Sequence, residues 1–185
     1  MQVTLINTPT LTFTDWAIGE CYDKGCYDDL EKRDNRIKKV ALKHKHSSVL
    51  EFTSFIFEIE ASTKVLLEMT RHRHAHYACK SSRYTLNKGQ IVIESTGNEY
   101  VDRILYSYSK QIEVLVEQGY SNEITSLMLP QAYQYKWVVE FNARSLINFL
   151  ELRRAKSAHF HIREVAEEMY KQVPEYMKYL FEGEK

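Results

Sequence analysis

The stretch Arg71–Tyr84 (RHRHAHYACKSSRY) brings together three guanidiniums, three imidazoles, one ammonium and two serine hydroxyls. In an extended segment Arg71 and Arg73 would point to one side and His72 to the other. Two forked cations on one side suit a phosphate or pyrophosphate, because a guanidinium binds such oxygens in pairs. Further on, Ser81-Ser82-Arg83, with Lys80 beside them, adds hydroxyls and another fork, the donor set of a phosphate monoester site. Each cluster also has a plainer reading: arginines meeting the carbonyls at a helix end, and serines capping a turn. The two together, joined by a short segment, favour an anion site. Cys79 inside the stretch reads as incidental. Ser81 reads as a ligand rather than a nucleophile, because no base stands by to activate it.

A metal site is the rival chemistry. His72, His74 and His76 alternate, and His44/His46 and His159/His161 form pairs. In a strand the first three could converge on zinc. No acidic or thiol ligand stands at a familiar spacing, however, and the arginines flanking His72 would repel a cation, so no metal is expected.

The chain around these residues has 185 residues, 44% of them hydrophobic and 27% charged, ordinary values for a globular protein with a real core. With 25 basic and 25 acidic residues the formal net charge is +0. That argues against a general nucleic-acid binder and leaves room for a local anion site. No apolar run approaches the ~20 residues that cross a bilayer, and the first residues lack the pattern of a signal peptide. Three scattered cysteines, Cys21, Cys26 and Cys79, do not suggest a disulfide framework. A reduced, cytoplasmic protein is expected.

Several elements must position the chemistry. Val3–Ile6 reads as an opening strand, and 28–43 as a helix charged on its outer face, followed by the polar loop KHKHSS. Glu51–Glu60 alternates as a strand, with Thr53, Phe55, Phe57 and Ile59 on one side. Ala61–Thr70 turns helical and leads directly into Arg71. A turn is expected over Asn87–Gln90, then a short apolar run, Ile91–Ile93. An amphipathic helix over about 99–118 uses Ile104, Leu105, Ile112, Leu115 and Val116, with Gly119 as its stop. After Pro130, Tyr133, Tyr135, Trp137, Val139 and Phe141 alternate with polar residues as a half-buried strand. Asn142 or Ser145 starts a helix carrying Leu146, Ile147, Phe149, Leu150 and Leu152, and a last helix aligns Ala158, Ile162, Val165 and Met169. The expectation is one α+β domain over residues 1–185, a mixed or antiparallel sheet packed with long helices.

Arg71-His72-Arg73, seven intervening residues and Ser81 form the RHR-x7-S pattern of flavin-dependent thymidylate synthases. Further matches stand in that family's order: His46-Ser47-Ser48 and Glu51 before it, Arg83-Tyr84 after it, then Asn142-Ala143-Arg144-Ser145-Leu146, Asn148-Phe149-Leu150 and Leu152-Arg153. The chain resembles this family from about Lys43 to its C-terminus, with a shorter region between Asn87 and Glu123. The resemblance implies a homotetramer whose sites, shared between subunits, hold FAD and dUMP. It also implies methylenetetrahydrofolate as carbon donor, NADPH as reductant and dTMP as product.

Residue by residue, the resemblance implies that Arg71, His72 and Arg73 contact the flavin nucleotide, Arg71 also lying near dUMP. Ser48, Asn142, Arg144 and Asn148 would be further FAD contacts, and His46 would lie near the flavin ring. Ser81, Ser82 and Arg83 would hold the dUMP phosphate. Arg153 would face the uracil ring and favour its N3-deprotonated form, as the catalytic residue. Asn148 and Arg153 are five positions apart, about 140° around a helix and roughly 7 Å along it, so they address different groups. Three positions depart from the family's habit: Glu68 replaces Gln, Cys79 replaces Glu and Ser126 replaces Arg. Glu68 and Lys80 belong to the expected dUMP side, Lys80 restoring the cation that Ser126 removes. Two alternatives stay open: a related flavoenzyme that installs another one-carbon group on dUMP, and a non-catalytic nucleotide- or RNA-binding relative.

Overall fold

A computed structural model describes residues 1–86 and 90–182. The turn expected over Asn87–Gln90 therefore lies, but for Gln90, outside the described residues. In chain order the elements are β1 (Gln2–Leu5), α1 (Thr12–Cys21), α2 (Leu30–Ile37), β2 (Ser54–Ser62), α3 (Thr63–Met69), β3 (Ala75–Cys79) and α4 (Ser82–Thr85). They continue with α5 (Glu99–Glu117), α6 (Asn122–Thr125), β4 (Gln134–Asn142), α7 (Ala143–Arg153) and α8 (Phe160–Lys171). A π-helical stretch, Lys38–Lys43, prolongs α2, and 3-10 turns occupy Ser47–Phe52, Ser126–Met128 and Glu175–Leu180. The strands hydrogen-bond in the order β1-β2-β4-β3, and the fold is α+β as expected.

The chain's contacts sort into two units that interleave along the sequence. The first takes residues 1–3, 58–72 and 77–138, and the second takes 4–57, 73–76 and 139–185. In the first, Thr63 N–H donates to the Tyr133 carbonyl at 2.8 Å. In the second, Ala143 N–H donates to that of Thr53 at 2.7 Å. As 53 pairs with 143 and 63 with 133, β2 and β4 run antiparallel.

In the first unit α5 starts where the Asn98 side chain accepts from the amides of Tyr100 and Val101, at 3.1 and 3.2 Å. It stops at Gly119, whose φ of 85° lets its N–H turn back to Val116. The cluster beneath it is Leu86, Ile91, Ile112 and Tyr133, with Tyr108 and Val116 against them. The buried line of α5 runs through Ser109 and Ile112, and Ile104, expected on that face, is exposed.

In the second unit Thr53, Phe55 and Phe57 turn inward with the alternation expected of β2. The rings of Phe141 and Phe149 pack tilted with centroids 5.0 Å apart, and Leu146, Leu150, Ile162, Val165 and Met169 are buried with them. Leu152, expected in that core, is exposed because the buried stripe of α7 runs Ala143, Leu146, Phe149, Leu150 and misses it. The strand expected from Glu51 starts at Ser54, since Ser47–Phe52 winds into a 3-10 helix instead. Helix α1 had no sequence signal because its buried face is Thr14, Asp15, Ile18 and Gly19, mostly polar or small, while Phe13 and Trp16 are exposed. Gly19 is required there: a Cβ would stand 2.3 Å from the Lys24 carbonyl.

Among the described residues no helix is long and apolar enough to cross a membrane.

Asp15 is fully buried and pairs with Arg36 through two contacts of 2.6 Å, and it also accepts the Tyr27 amide at 2.7 Å. Asp15→Ala strands the guanidinium. A loss of about 3–5 kcal/mol in unfolding free energy is expected by urea titration; a loss under about 1 kcal/mol would show that the pair is dispensable.

Candidate functional site

Within the second unit, a cavity of about 310 Å³ is lined by His46, Ser47, Ser48 and Arg144 over an apolar base of Ile18, Val40 and Val49. His46 and Ser48 reach it because Lys45 adopts a positive φ of 58° and breaks the helical run before the 3-10 turn. Arg144 projects from the first turn of α7, where its Nη1 meets Glu51 at 2.7 Å. That leaves the other edge of the fork for a second acceptor. Asn142 is the α7 cap: its Oδ1 accepts the Ser145 amide at 2.8 Å. The amide nitrogen of that side chain remains as a donor. Asn148 is exposed on the same helix.

Arg153 ends α7 and is half-buried. Its neighbour Arg154 is held in place, paired with Glu167 at 3.0 Å and stacked 3.9 Å over the Tyr170 ring.

In the first unit, Glu68 near the end of α3 receives Lys64 at 3.1 Å and Arg71 at 3.7 Å. The negative charge that departs from the family habit is thus balanced locally, by Lys64 and Arg71. Arg71 is otherwise exposed, and the His72 amide closes the helix end on the Met69 carbonyl at 2.9 Å. Arg71 and Arg73 do not sit in a strand, since β3 begins only at Ala75. Their projection to one side, which needed an extended segment, has no strand to enforce it. The chain turns at Arg71 and bends at His74.

Strand β3 gave no sequence signal because its residues Ala75–Cys79 are largely exposed, without a buried alternation. Burial of its sulfur pushes the Cys79 thiol above its ordinary pKa, although the residue as a whole is exposed. That disfavours the thiolate and fits an incidental cysteine. The amide of Lys80 continues the pairing by donating to Lys136 at 3.0 Å.

Ser81 stands before α4 with no capping bond from its side chain, so its hydroxyl is available to another acceptor or donor. Ser82 is the first residue of that helix. Arg83 meets Glu123 at 2.5 Å, with Asn122 donating to the Arg83 carbonyl at 3.0 Å. Ser126, on the turn that follows α6, donates to the Glu123 carbonyl at 3.2 Å. His76 in β3 lies 3.5 Å from Glu140, and among the described residues no group of three His, Cys, Asp or Glu is placed to hold a metal.

Two positioning residues escaped the sequence reading. In the first unit the Tyr77 hydroxyl lies 2.8 Å from the Met69 carbonyl and 3.0 Å from that of His72, tying the end of α3 to the strand that follows. In the second the Ser145 hydroxyl donates to the His74 carbonyl. The signal for each was its place inside a matched motif; Ser145 also read as a possible helix start.

Comparison with known proteins adds an independent line. A family profile described as thymidylate synthase complementing protein matches residues 11–177. The flavin-dependent thymidylate synthase of Campylobacter jejuni (strain RM1221) is 32% identical over 199 residues, spanning 98% of this chain and 96% of that protein. Its counterpart in Wolinella succinogenes is 32% identical over 198 residues, spanning 98% and 97%. Among solved structures, thymidylate synthase X of Helicobacter pylori, crystallised with FAD and dUMP, matches with a TM-score of 0.89 and 29% identity over 98% of both chains.

Tyr77→Phe removes a hydroxyl that serves two carbonyls. We expect a loss of about 0.5–1.5 kcal/mol in stability, together with faster hydrogen exchange at the His72 amide. Unchanged exchange there would mean the hydroxyl does not hold the segment.

Proposed function

The chain belongs to the flavin-dependent thymidylate synthase family, and from that premise we propose that it methylates dUMP reductively to dTMP, with methylenetetrahydrofolate giving the carbon and NADPH the electrons. The observation that carries the proposal is the cavity where Arg144 meets His46 and Ser48, from a distant part of the sequence, on one apolar base. Imidazole, hydroxyl and a half-engaged guanidinium over aliphatic side chains form a donor set that fits a flavin nucleotide. FAD, when bound, supplies the hydride chemistry.

The roles follow from the chemistry of each side chain. His46 lies against the flavin ring, and Ser48, Arg144, Asn148 and the amide nitrogen of Asn142 donate to the nucleotide. Arg71, His72 and Arg73 take its phosphates, Arg71 also serving dUMP. Ser81, Ser82 and Arg83 bind the dUMP phosphate, Arg83 exchanging Glu123 for it, with Lys80 adding charge and Glu68 holding Arg71 in place. Arg153 faces the uracil ring, where a fixed cation stabilises the charge that develops as carbon 5 becomes nucleophilic. The whole chain acts as one cytoplasmic catalytic domain within a homotetramer. Exposed Tyr100 and Ile104, one turn apart on α5, support such an assembly, being apolar surface that a partner subunit would cover.

Glu68, Cys79 and Ser126 favour one second reading, a flavoenzyme that installs a different one-carbon group on dUMP. An anaerobic turnover with dUMP, methylenetetrahydrofolate and NADPH separates the two by product mass. We expect dTMP; hydroxymethyl-dUMP would establish the second reading, and a colourless protein unable to take up FAD would overturn both. Arg153→Ala should then lower turnover by roughly 10²–10³-fold while FAD, measured by absorbance, stays bound.

A further inference from the structure

A second, larger cavity of about 660 Å³ opens in the same unit as the His46 cavity. Ile18, Tyr22 and Val40 line both, so the two share a wall. The larger one is ringed by Lys24, Lys32, Arg36 and Lys39, with the rings of Tyr22 and Tyr27. No carboxylate lines it among the described residues. In a chain of zero formal net charge, such one-sided lining is a local arrangement rather than a consequence of composition.

Its cations differ in kind. Arg36 is committed: it is bound to Asp15 at 2.6 Å, donates to the Gly25 carbonyl at 3.0 Å and lies 4.2 Å over the Tyr27 ring. It fixes the wall. Lys24, Lys32 and Lys39 form no ion pair among the described residues, and all three are exposed at the cavity. Lys32 lies one turn before Arg36 on α2, and Lys39 follows on the π-helical stretch. Lys32 and Lys39 are seven residues apart, on the order of 10 Å along the helix.

That spacing discriminates between ligands. A single phosphate calls for converging forks or amides, whereas separate, flexible ammoniums meet charges strung along a chain. The tyrosine rings and the aliphatic floor add a place for a flat aromatic group. An aromatic ring followed by spaced carboxylates fits this lining, and the shared wall sets such a ligand beside the His46 cavity.

We propose that this cavity binds the tail of the folate donor, its aminobenzoyl ring against Tyr22 and Tyr27 and successive glutamates along Lys24, Lys32 and Lys39. The identity of the ligand rests on the function proposed above; the charge and shape of the cavity do not. The enzyme would accordingly prefer a polyglutamylated donor. Another aromatic anion in this reaction is NADPH, whose phosphates would use the same lysines.

The test uses the full-length, FAD-loaded protein and two measurements. First, p-aminobenzoyl-pentaglutamate, which has no pterin and cannot react, is titrated by calorimetry. Binding that weakens with salt and falls roughly tenfold in Lys32→Glu/Lys39→Glu, with Lys24→Ala lowering it less, supports the site. Circular dichroism and FAD content confirm that each variant is folded. Second, the ratio of KM for mono- and pentaglutamyl methylenetetrahydrofolate is expected near tenfold in the unaltered protein and near unity in the double variant. No binding of the probe, a ratio that survives the charge reversal, or an effect confined to the KM for NADPH would overturn the proposal. Probe binding without any dTMP formation would instead refute the proposed reaction while upholding an aromatic polyanion site.

Discussion

A carboxylate taken wholly out of water must be paired, and Asp15 is wholly buried. Much of the second unit follows from satisfying it. Arg36 of α2 crosses to Asp15 of α1 with both edges engaged, which fixes those helices against each other. The remaining acceptor capacity takes the Tyr27 amide, drawing in the irregular segment 22–27. That segment approaches α1 so closely that only glycine is tolerated at position 19. Ile18 and Tyr22, placed in this way, become walls of the cavity that holds His46 and Ser48. A polar constraint outside the set of expected site residues thereby shapes the surface on which the chemistry is proposed.

The motif Arg71–Tyr84 depends on a different device. Its first residues follow a helix end, where carbonyls need partners. Tyr77 serves those of Met69 and His72, and Ser145 serves that of His74. Backbone carbonyls are thus tied by side chains. A pinned main chain suits an anion site, because part of the ordering entropy has been met before any ligand arrives.

Legibility in the sequence followed burial. Strand β4 and helices α5 and α7 were readable because each buries an alternating or helical apolar line, through Trp137–Phe141, Ile112 and Leu146–Leu150. Helix α1 and strand β3 were not, since one buries Thr14 and Asp15 and the other buries little. Of the candidate site, the resemblance named His46, Ser48 and Arg144 as contacts of one ligand, and these three line one cavity. What could not be read was the occupancy of each side chain. Nothing in the spacing shows that Glu51 takes one edge of Arg144, that Glu123 faces Arg83, or that Lys64 and Arg71 flank Glu68.

These ion pairs divide the arginines into two classes by exposure. The side chains of Arg71, Arg83 and Arg144 are 73%, 59% and 53% exposed; Arg83 and Arg144 pair with exposed glutamates, whereas Glu68, beside Arg71, is only 16% exposed. The pairs with Glu123 and Glu51 contribute about 0–1 kcal/mol, so a phosphate can replace either glutamate at little cost. Arg36, 12% exposed against a fully buried partner, has no such freedom: breaking its pair would leave an uncompensated buried charge. Arginines of the first class can serve a ligand and those of the second must serve the fold. A chain with zero formal net charge can in this way keep exposed cations in reserve. In the proposed site the glutamates would hold the exposed forks until a doubly charged acceptor displaced them.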